Sequence, residues 1–227
     1  MSTKILTRSL LAGMIALTCV SVGRAATDKP VQAKKLQVEN ELSTKLARTE
    51  ESNLANVILD AIRAVDGSDA AIMHASAFAN ATILKGSTDV EEILKAVQYR
   101  EDNVVVVVLT GDQLRKAFEN SVRLYPQKSP EFLQVSGITV TVDPNADKDK
   151  RVTSLQIGGS EVSATKKYKV AMPAPLANGA LGYYRIWDKK KDTATETGKS
   201  IVDAVKSYIE GKKSLPGKVE DRIVFKK

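Results

Sequence analysis

The 227 residues, 43% hydrophobic and 27% charged, suffice for one globular domain with tails and predict a sizeable core rather than a disordered chain. A formal charge of +7 falls to +4 once Lys4, Arg8 and Arg24 leave with an N-terminal leader, and with aromatic residues at 5% no basic, ring-studded nucleic-acid face is expected. One histidine and one cysteine exclude a histidine-rich two-metal centre, thiol catalysis in the mature chain and a disulfide framework.

In chain order, residues 1–25 read as a signal peptide. Lys4 and Arg8 start it, Leu10 to Val22 form its apolar middle, and Gly23-Arg24-Ala25 is a small-x-small cleavage site, with Thr27-Asp28-Lys29-Pro30 opening the mature chain. The competing reading, a membrane anchor, needs roughly 20 apolar residues, more than are present. The expectation is a periplasmic or secreted protein cleaved after Ala25, with no transmembrane segment once the leader is gone. Cys19 leaves with it; Ala16-Leu17-Thr18-Cys19 resembles a lipoprotein site, but threonine before the cysteine fits poorly.

Residues 26–50 are polar and lysine-rich with weak periodicity at Leu36, Leu42 and Leu46, as in a frayed lead-in helix or a linker. The domain proper is expected over 51–227. Leu54, Val57, Ile58, Ala61, Ile62 and Val65 give a helix over 53–65, capped by Ser52 or Asn53 and stopped at Asp66-Gly67. Asp69 to Met73 reads as a short buried strand, followed by the irregular His74 to Asn80. Thr88 and Glu91 have capping-box spacing ahead of a helix of two to three turns through Val90, Ile93, Leu94 and Val97.

Val104 to Leu109 is an unbroken aliphatic run, too short to span a membrane and not alternating, so it predicts a central strand covered on both faces. Thr110 and Gln113 form a second capping box, opening a helix over 112–124 whose stripe is Leu114, Ala117, Phe118, Ser121, Val122 and Tyr125. Arg115, Lys116, Glu119 and Arg123 fall mostly on its wet side. Pro126 and Pro130 close the linker, and Phe132 opens a strand running through Val142. Arg151 to Ile157 and Tyr168 to Met172 are further strands, with Gly158-Gly159 a turn between them. The segment near 188–199 is hydrophilic and predicted loose. Ser200 to Ile209 regains a helical stripe, and Arg222 to Phe225 reads as a short edge strand.

The succession of an aliphatic strand, LTGDQL, an amphipathic helix and FLQVSG resembles the C-terminal domain of the 5'-nucleotidases. ESNLANVILDAIR (Glu51 to Arg63), RVTSLQIGG (Arg151 to Gly159) and YKVAMPAPLANGALGYY (Tyr168 to Tyr184) extend the resemblance over most of the mature chain. It implies an α+β fold of mixed layers, with strand 104–109 flanked by helices 53–65 and 112–124. It also implies the substrate-recognition part of a phosphoric ester hydrolase, for which the metallophosphatase half would need a few hundred further residues.

The resemblance assigns recognition roles that can be checked position by position. The family's Asn-x-Gly-Gly-x-Arg segment, whose arginine meets the phosphate, falls on His74-Ala75-Ser76-Ala77-Phe78-Ala79. The Pro-Phe that stacks on the base falls on Gln98-Tyr99, and the opposite ring on Pro175. The closing Gly-Gly-Asp-Gly-Tyr falls on Gly179-Ala180-Leu181-Gly182-Tyr183, with Leu181 where an aspartate would bond the nucleoside. Alanine and leucine offer no donor or acceptor to a nucleotide. Tyr99, Arg100, Phe78 and Tyr183, with Tyr184 beside them, are the candidate ligand contacts; the competing reading puts Phe78 and Tyr183 in the core and Arg100 on an exposed loop. No catalytic residue, metal site or cofactor is expected. Asp143, Asp147 and Asp149 lack the glycine and terminal glutamate of a calcium loop. The function expected is a non-catalytic binding or accessory module. The alternatives are a nucleotidase component working with a separately encoded metallophosphatase, and a structural envelope protein.

Overall fold

The computed structural model describes residues 34–188 and 192–227; the leader and cleavage site expected from the sequence lie outside them. Among the described residues no helix is long and apolar enough to cross a membrane.

The described residues start with two short strands, β1 (Leu36–Val38) and β2 (Leu42–Ser43), where a frayed helix or linker was expected. The three leucines of the weak pattern explain the difference: Leu36 and Leu42 are buried as strand residues, and Leu46 lies in the exposed turn that follows. Helix α1 (Asn53–Ala64) is capped by Ser52, whose Oγ accepts from Ala55 N. Strand β3 (Ala70–His74) is buried throughout. β4 (Thr82–Ile83), β5 (Gly86–Thr88) and α2 (Val90–Leu94) follow. The cap of α2 is Asp89, accepting from Glu92 N, one residue later than the Thr88–Glu91 spacing predicted. Thr88 is instead the buried last residue of β5, and the helix has little more than one turn.

Strand β6 (Asn103–Thr110) and helix α3 (Gly111–Val122) form the predicted unit. Thr110 Oγ1 accepts from Gln113 N at 3.2 Å while Gln113 Oε1 accepts from Thr110 N at 2.8 Å, so two orphan amides of the helix start are met reciprocally. The single strand expected from Phe132 to Val142 is two, β7 (Leu133–Ser136) and β8 (Ile138–Val142), which belong to different sheets. Gly137 between them has φ of +72°, the left-handed turn that sends the chain from one sheet to the other. β9 (Val152–Ile157), β10 (Ser160–Glu161), β11 (Lys167–Pro173) and α4 (Ala174–Ala177) come next. The segment expected to be loose carries β12 (Ala194–Ser200). The chain ends with α5 (Ile201–Glu210), β13 (Ser214–Leu215) and β14 (Ile223–Phe225).

The main sheet has the order β12-β6-β11-β3-β7; β11 and β3 are parallel and the other pairs antiparallel. β6 is therefore an interior strand. Its odd residues, Val105, Val107 and Leu109, pack with Leu114, Ala117 and Phe118 of α3 and with apolar residues of β8 and β9. Its even residues, Val104 and Val106, face the other way, into a core shared with α1 and α5. Burial on both sides is why the sequence shows no alternation. β12 is hydrophilic because it is an edge: it pairs with β6 along one side only, a register shift follows Glu196, and most of its residues are exposed. At the opposite edge, Gln134 of β7 is fully buried and stitches the strand to the segment before α1, accepting from Ser52 N and donating to Ala47 O and Glu50 O. A second, four-stranded sheet, β10-β9-β8-β14, completes the α3 side. The architecture is thus α+β with mixed layers.

Candidate functional site

Parallel pairing of β3 and β11 brings their C-terminal ends out at one end of the main sheet, and antiparallel β6 begins there, Pro173 lying opposite Val104. Three segments meet at this end: His74 to Ala79 after β3, Gln98 to Asp102 before β6, and α4 with the turn Ala180–Arg185 after β11. The backbone joins them. Ala79 N donates to Ala96 O and Gln98 N to Ala77 O, both at 2.9 Å, while Ala75 N donates to Phe132 O at 2.7 Å and Ser76 N to Pro130 O at 3.2 Å. Between those last two acceptors lies Glu131, whose carbonyl accepts from Tyr183 Oη at 2.7 Å.

The sequence-predicted contacts are divided by the sheet. Phe78 is buried in the α1 core, bridged to Val97. Tyr183 is fully buried in the α3 core, stacked on Trp187 with ring centroids 4.9 Å apart, and burial pushes its phenol pKa up. Because the two rings belong to cores on opposite faces, they do not line one cleft. Tyr99 is 53% exposed at the rim, two residues past the Val97–Phe78 bridge. Arg100 beside it is exposed and makes ion pairs with Glu91 at 3.3 Å and Glu101 at 3.7 Å. Tyr184, also exposed, lies beneath the Arg185 guanidinium, 5.5 Å from it. The structure thus brings Tyr99 and Arg100 together at the surface, next to Phe78, and leaves Tyr183 as part of the packing.

At the other assigned positions, His74 ends β3 with Nδ1 2.9 Å from Ser76 Oγ, and burial lowers its pKa to about 4, so the ring is neutral at pH 7. Pro175 is exposed on the first turn of α4. Leu181 adopts φ of +57° and Gly182 +85°, a left-handed kink that turns the Leu181 side chain partly onto the α3 core. Among the described residues no three histidine, cysteine or carboxylate side chains converge as metal ligands.

One feature escaped the sequence reading. A cleft of ≈900 Å³ lies between α3 and the 181–186 turn, walled by Arg115, Glu119, Arg123, Lys148 and Arg185. Its signal was present: 112, 115, 116, 119 and 123 recur at helical spacing and make one charged stripe, which reads as a solvated face. Most of these charges have structural partners. Arg123 makes a two-pronged pair with Glu131, Arg115 donates to Val152 O, and Glu119 accepts from Arg151 N and Val152 N, so the stripe ties α3 to its neighbours.

Comparison with known proteins places the architecture. Residues 22–187 match the family described as 5'-nucleotidase, C-terminal domain. A 5'-nucleotidase of Mus musculus is 37% identical over 128 residues, covering 53% of this chain and 22% of that protein. The fold is similar to the crystal structure of a 5'-nucleotidase precursor from Thermus thermophilus, with a TM-score of 0.75 at 24% identity, covering 84% of this chain and 39% of that one. It is also similar to an NAD nucleotidase of Haemophilus influenzae, with a TM-score of 0.73 at 14% identity over 84% of this chain and 37% of the other. The chain spans about a fifth of the length of the curated relatives it matches. With the family's domain matched over most of its length and the same layers in its fold, this chain belongs to the 5'-nucleotidase C-terminal domain family.

Proposed function

We propose that this chain is an exported, non-catalytic binding or accessory module that has kept the nucleotidase recognition scaffold and changed its grip. The observation that carries the reading is the set of side chains at the sheet end: Ala79, Pro175 and Leu181 stand where the family resemblance assigns a phosphate-binding arginine, a second stacking ring and a hydrogen-bonding aspartate, while Tyr99 keeps one exposed ring. An exposed tyrosine face stacks on any base, whereas alanine and leucine discriminate neither phosphate nor ribose hydroxyls. The module therefore takes nucleoside-like or other small planar ligands with little regard for phosphate, and export follows the leader at residues 1–25.

Calorimetric titration with AMP, adenosine and UDP-glucose tests this. AMP and adenosine are expected to bind with dissociation constants within about threefold, since a charge-assisted contact is worth about 1.5–3 kcal/mol and the guanidinium beside Tyr99, that of Arg100, is committed to Glu91 and Glu101. Tyr99→Ala is expected to abolish the heat. Absence of heat with all three ligands removes nucleosides and leaves the structural-envelope role.

A second reading has one observation in its favour, that the relatives matched are 5'-nucleotidases: the module supplies a recognition surface to a metallophosphatase. Phosphate release from AMP with added manganese or zinc, expected to equal buffer for this chain alone and to rise with such a partner, separates the two. Turnover by this chain alone ends the non-catalytic reading.

A further inference from the structure

The loop that carries Tyr99 is held from two directions. On one side Gln98 N donates to Ala77 O at 2.9 Å, tying the loop to the segment after β3, and Asp102 N closes the loop by donating to Tyr99 O at 3.1 Å. On the other side stands α5, which lies beyond the residues matched by the nucleotidase domain. Ile201 N donates to Asp102 O and Val202 N to Arg100 O, each at 3.0 Å.

These donors are the first two amides of α5, groups that a helix cannot satisfy from within. The third, Asp203 N, is met by the Ser200 cap at 3.1 Å, which leaves the first two for the loop. Tyr99 therefore has a bonded backbone group at the residue before it, at the residue after it and at its own carbonyl, while its ring stays exposed. The base on which the loop rests is firm: Ile201 and Val205 are fully buried in the core that also holds Phe78 and Val97. Side chains add a weaker tie. The Glu91 carboxylate meets Arg100 Nη1 on one oxygen and Lys206 Nζ of α5 on the other, both at 3.3 Å. All three side chains are roughly half exposed, so these ion pairs contribute little and the two backbone bonds carry the attachment.

We propose that α5 is the positioning element for recognition at Tyr99: its first two amides, through the Arg100 and Asp102 carbonyls, keep the ring in the pose that stacks on a ligand. This role rests on the nucleoside reading given above. A ring already in its bound pose loses little freedom when the ligand arrives, whereas a loop released from α5 has to be ordered at that moment and binds more weakly. Ligand and helix are then linked, because a ligand that takes only the attached loop must also slow the parting of α5 from it.

Two measurements on the intact chain, with adenosine as the probe, test this. The first is hydrogen exchange read residue by residue by NMR. With adenosine at ten times its dissociation constant, exchange of the Ile201 and Val202 amides is expected to slow about tenfold, while the amides of β8 and β9 in the second sheet keep their rates. Equal slowing in β8 and β9, or none at α5, overturns the proposal. The second measurement compares Val202→Pro with Val202→Ala. Proline is accepted in the first turn of a helix but has no N–H, whereas alanine gives up the same partly buried side chain and keeps the amide. Val202→Pro is expected to weaken adenosine binding about tenfold and Val202→Ala less than about twofold, with both chains folded at the titration temperature. Equal affinity in the two variants overturns the proposal. No heat with adenosine from the unaltered chain is instead a failure of the nucleoside reading. The hold of α5 on the loop is then decided without ligand, by exchange of the Asp102 amide: about tenfold faster in Val202→Pro than in Val202→Ala supports it, and equal rates overturn it.

Discussion

Arg222, near the C-terminus, lays its guanidinium on the Asp60 carboxylate of α1, with Nη1 2.8 Å from Oδ1 and Nη2 3.0 Å from Oδ2. Nη1 also donates to Val135 O of β7 at 3.0 Å, so one side chain ties the end of the chain to a helix and to the edge of the main sheet. Residues 188–227 lie beyond the matched nucleotidase domain, yet they supply β12, α5 and β14, and this pair is one of the clamps that make them integral.

The first prediction concerns that clamp. Arg222 is 8% exposed, so truncating it removes the Asp60 carboxylate's charged partner, leaving it only the Ser136 Oγ donor at 2.6 Å, and takes a donor from the Val135 carbonyl. Arg222→Ala is expected to destabilise the chain by about 3 kcal/mol, the scale for breaking a buried pair from one side. Replacing both partners, as Arg222→Met with Asp60→Leu, is expected to cost less than the single change, because the one carboxylate then left without its partner, that of Glu220, is half exposed to water. The midpoint of urea unfolding at unchanged slope is the measurement.

The second prediction is a pH dependence. His74, 7% exposed, has its pKa lowered from 6.5 to about 4 by burial. Between those two values the unfolded chain binds the proton and the folded chain does not. Stability from this group is therefore complete above pH 6.5 and is lost as pH falls toward 4, by about 3 kcal/mol in all. As this is the chain's one histidine, His74→Gln is expected to flatten the fall of unfolding free energy between pH 6.5 and 4 by that amount. An unchanged slope in the variant would show that carboxylates carry all of it.

The third prediction tests the passage between the two sheets. A Cβ on Gly137 would lie 2.5 Å from the Asp69 carbonyl oxygen, backbone that cannot turn aside, and φ is +72°. Gly137→Ala is expected to cost about 2 kcal/mol or more from conformation and overlap together, with loss seen in the thermal midpoint. A neutral outcome would mean that β7 and β8 do not part company at this residue.

What could be read in advance was whatever the chain decides locally. β6 and α3 were legible because burial on both faces removes alternation and because Thr110 and Gln113 satisfy one another across a single turn. β12 was not, since its identity as a strand lies in its pairing with β6 some 90 residues away in the sequence, and an edge must be as polar as a loop to avoid further pairing. The start of α2 slipped by one because Thr88 and Asp89 both have capping chemistry, and burial of Thr88 in β5 decided between them. At the site, Tyr99 lies exposed between α2 and β6, and Phe78 and Tyr183, expected in one cleft with it, are parted by the sheet. Nor does the sequence phase Tyr183 against Tyr184: the left-handed kink at Leu181 and Gly182 interrupts helical periodicity just before the two rings.

That division of neighbouring tyrosines gives the last prediction, which separates packing from recognition. Tyr183 Oη donates to Glu131 O at 2.7 Å from inside the core, so Tyr183→Phe keeps the stack on Trp187 and strands one carbonyl. It is expected to lower unfolding free energy by about 1–2 kcal/mol. It should leave nucleoside affinity unchanged, because the ring never reaches the rim. Tyr99→Ala is expected to do the reverse. A side chain 53% exposed contributes little burial, so stability should move by under about 0.5 kcal/mol while the heat of adenosine binding disappears. The crossed pattern is diagnostic because general unfolding would move both readouts together. If Tyr183→Phe weakened ligand binding at intact stability, recognition would have to run through the α3 side of the sheet and its large cleft, and Tyr99 would lose its role.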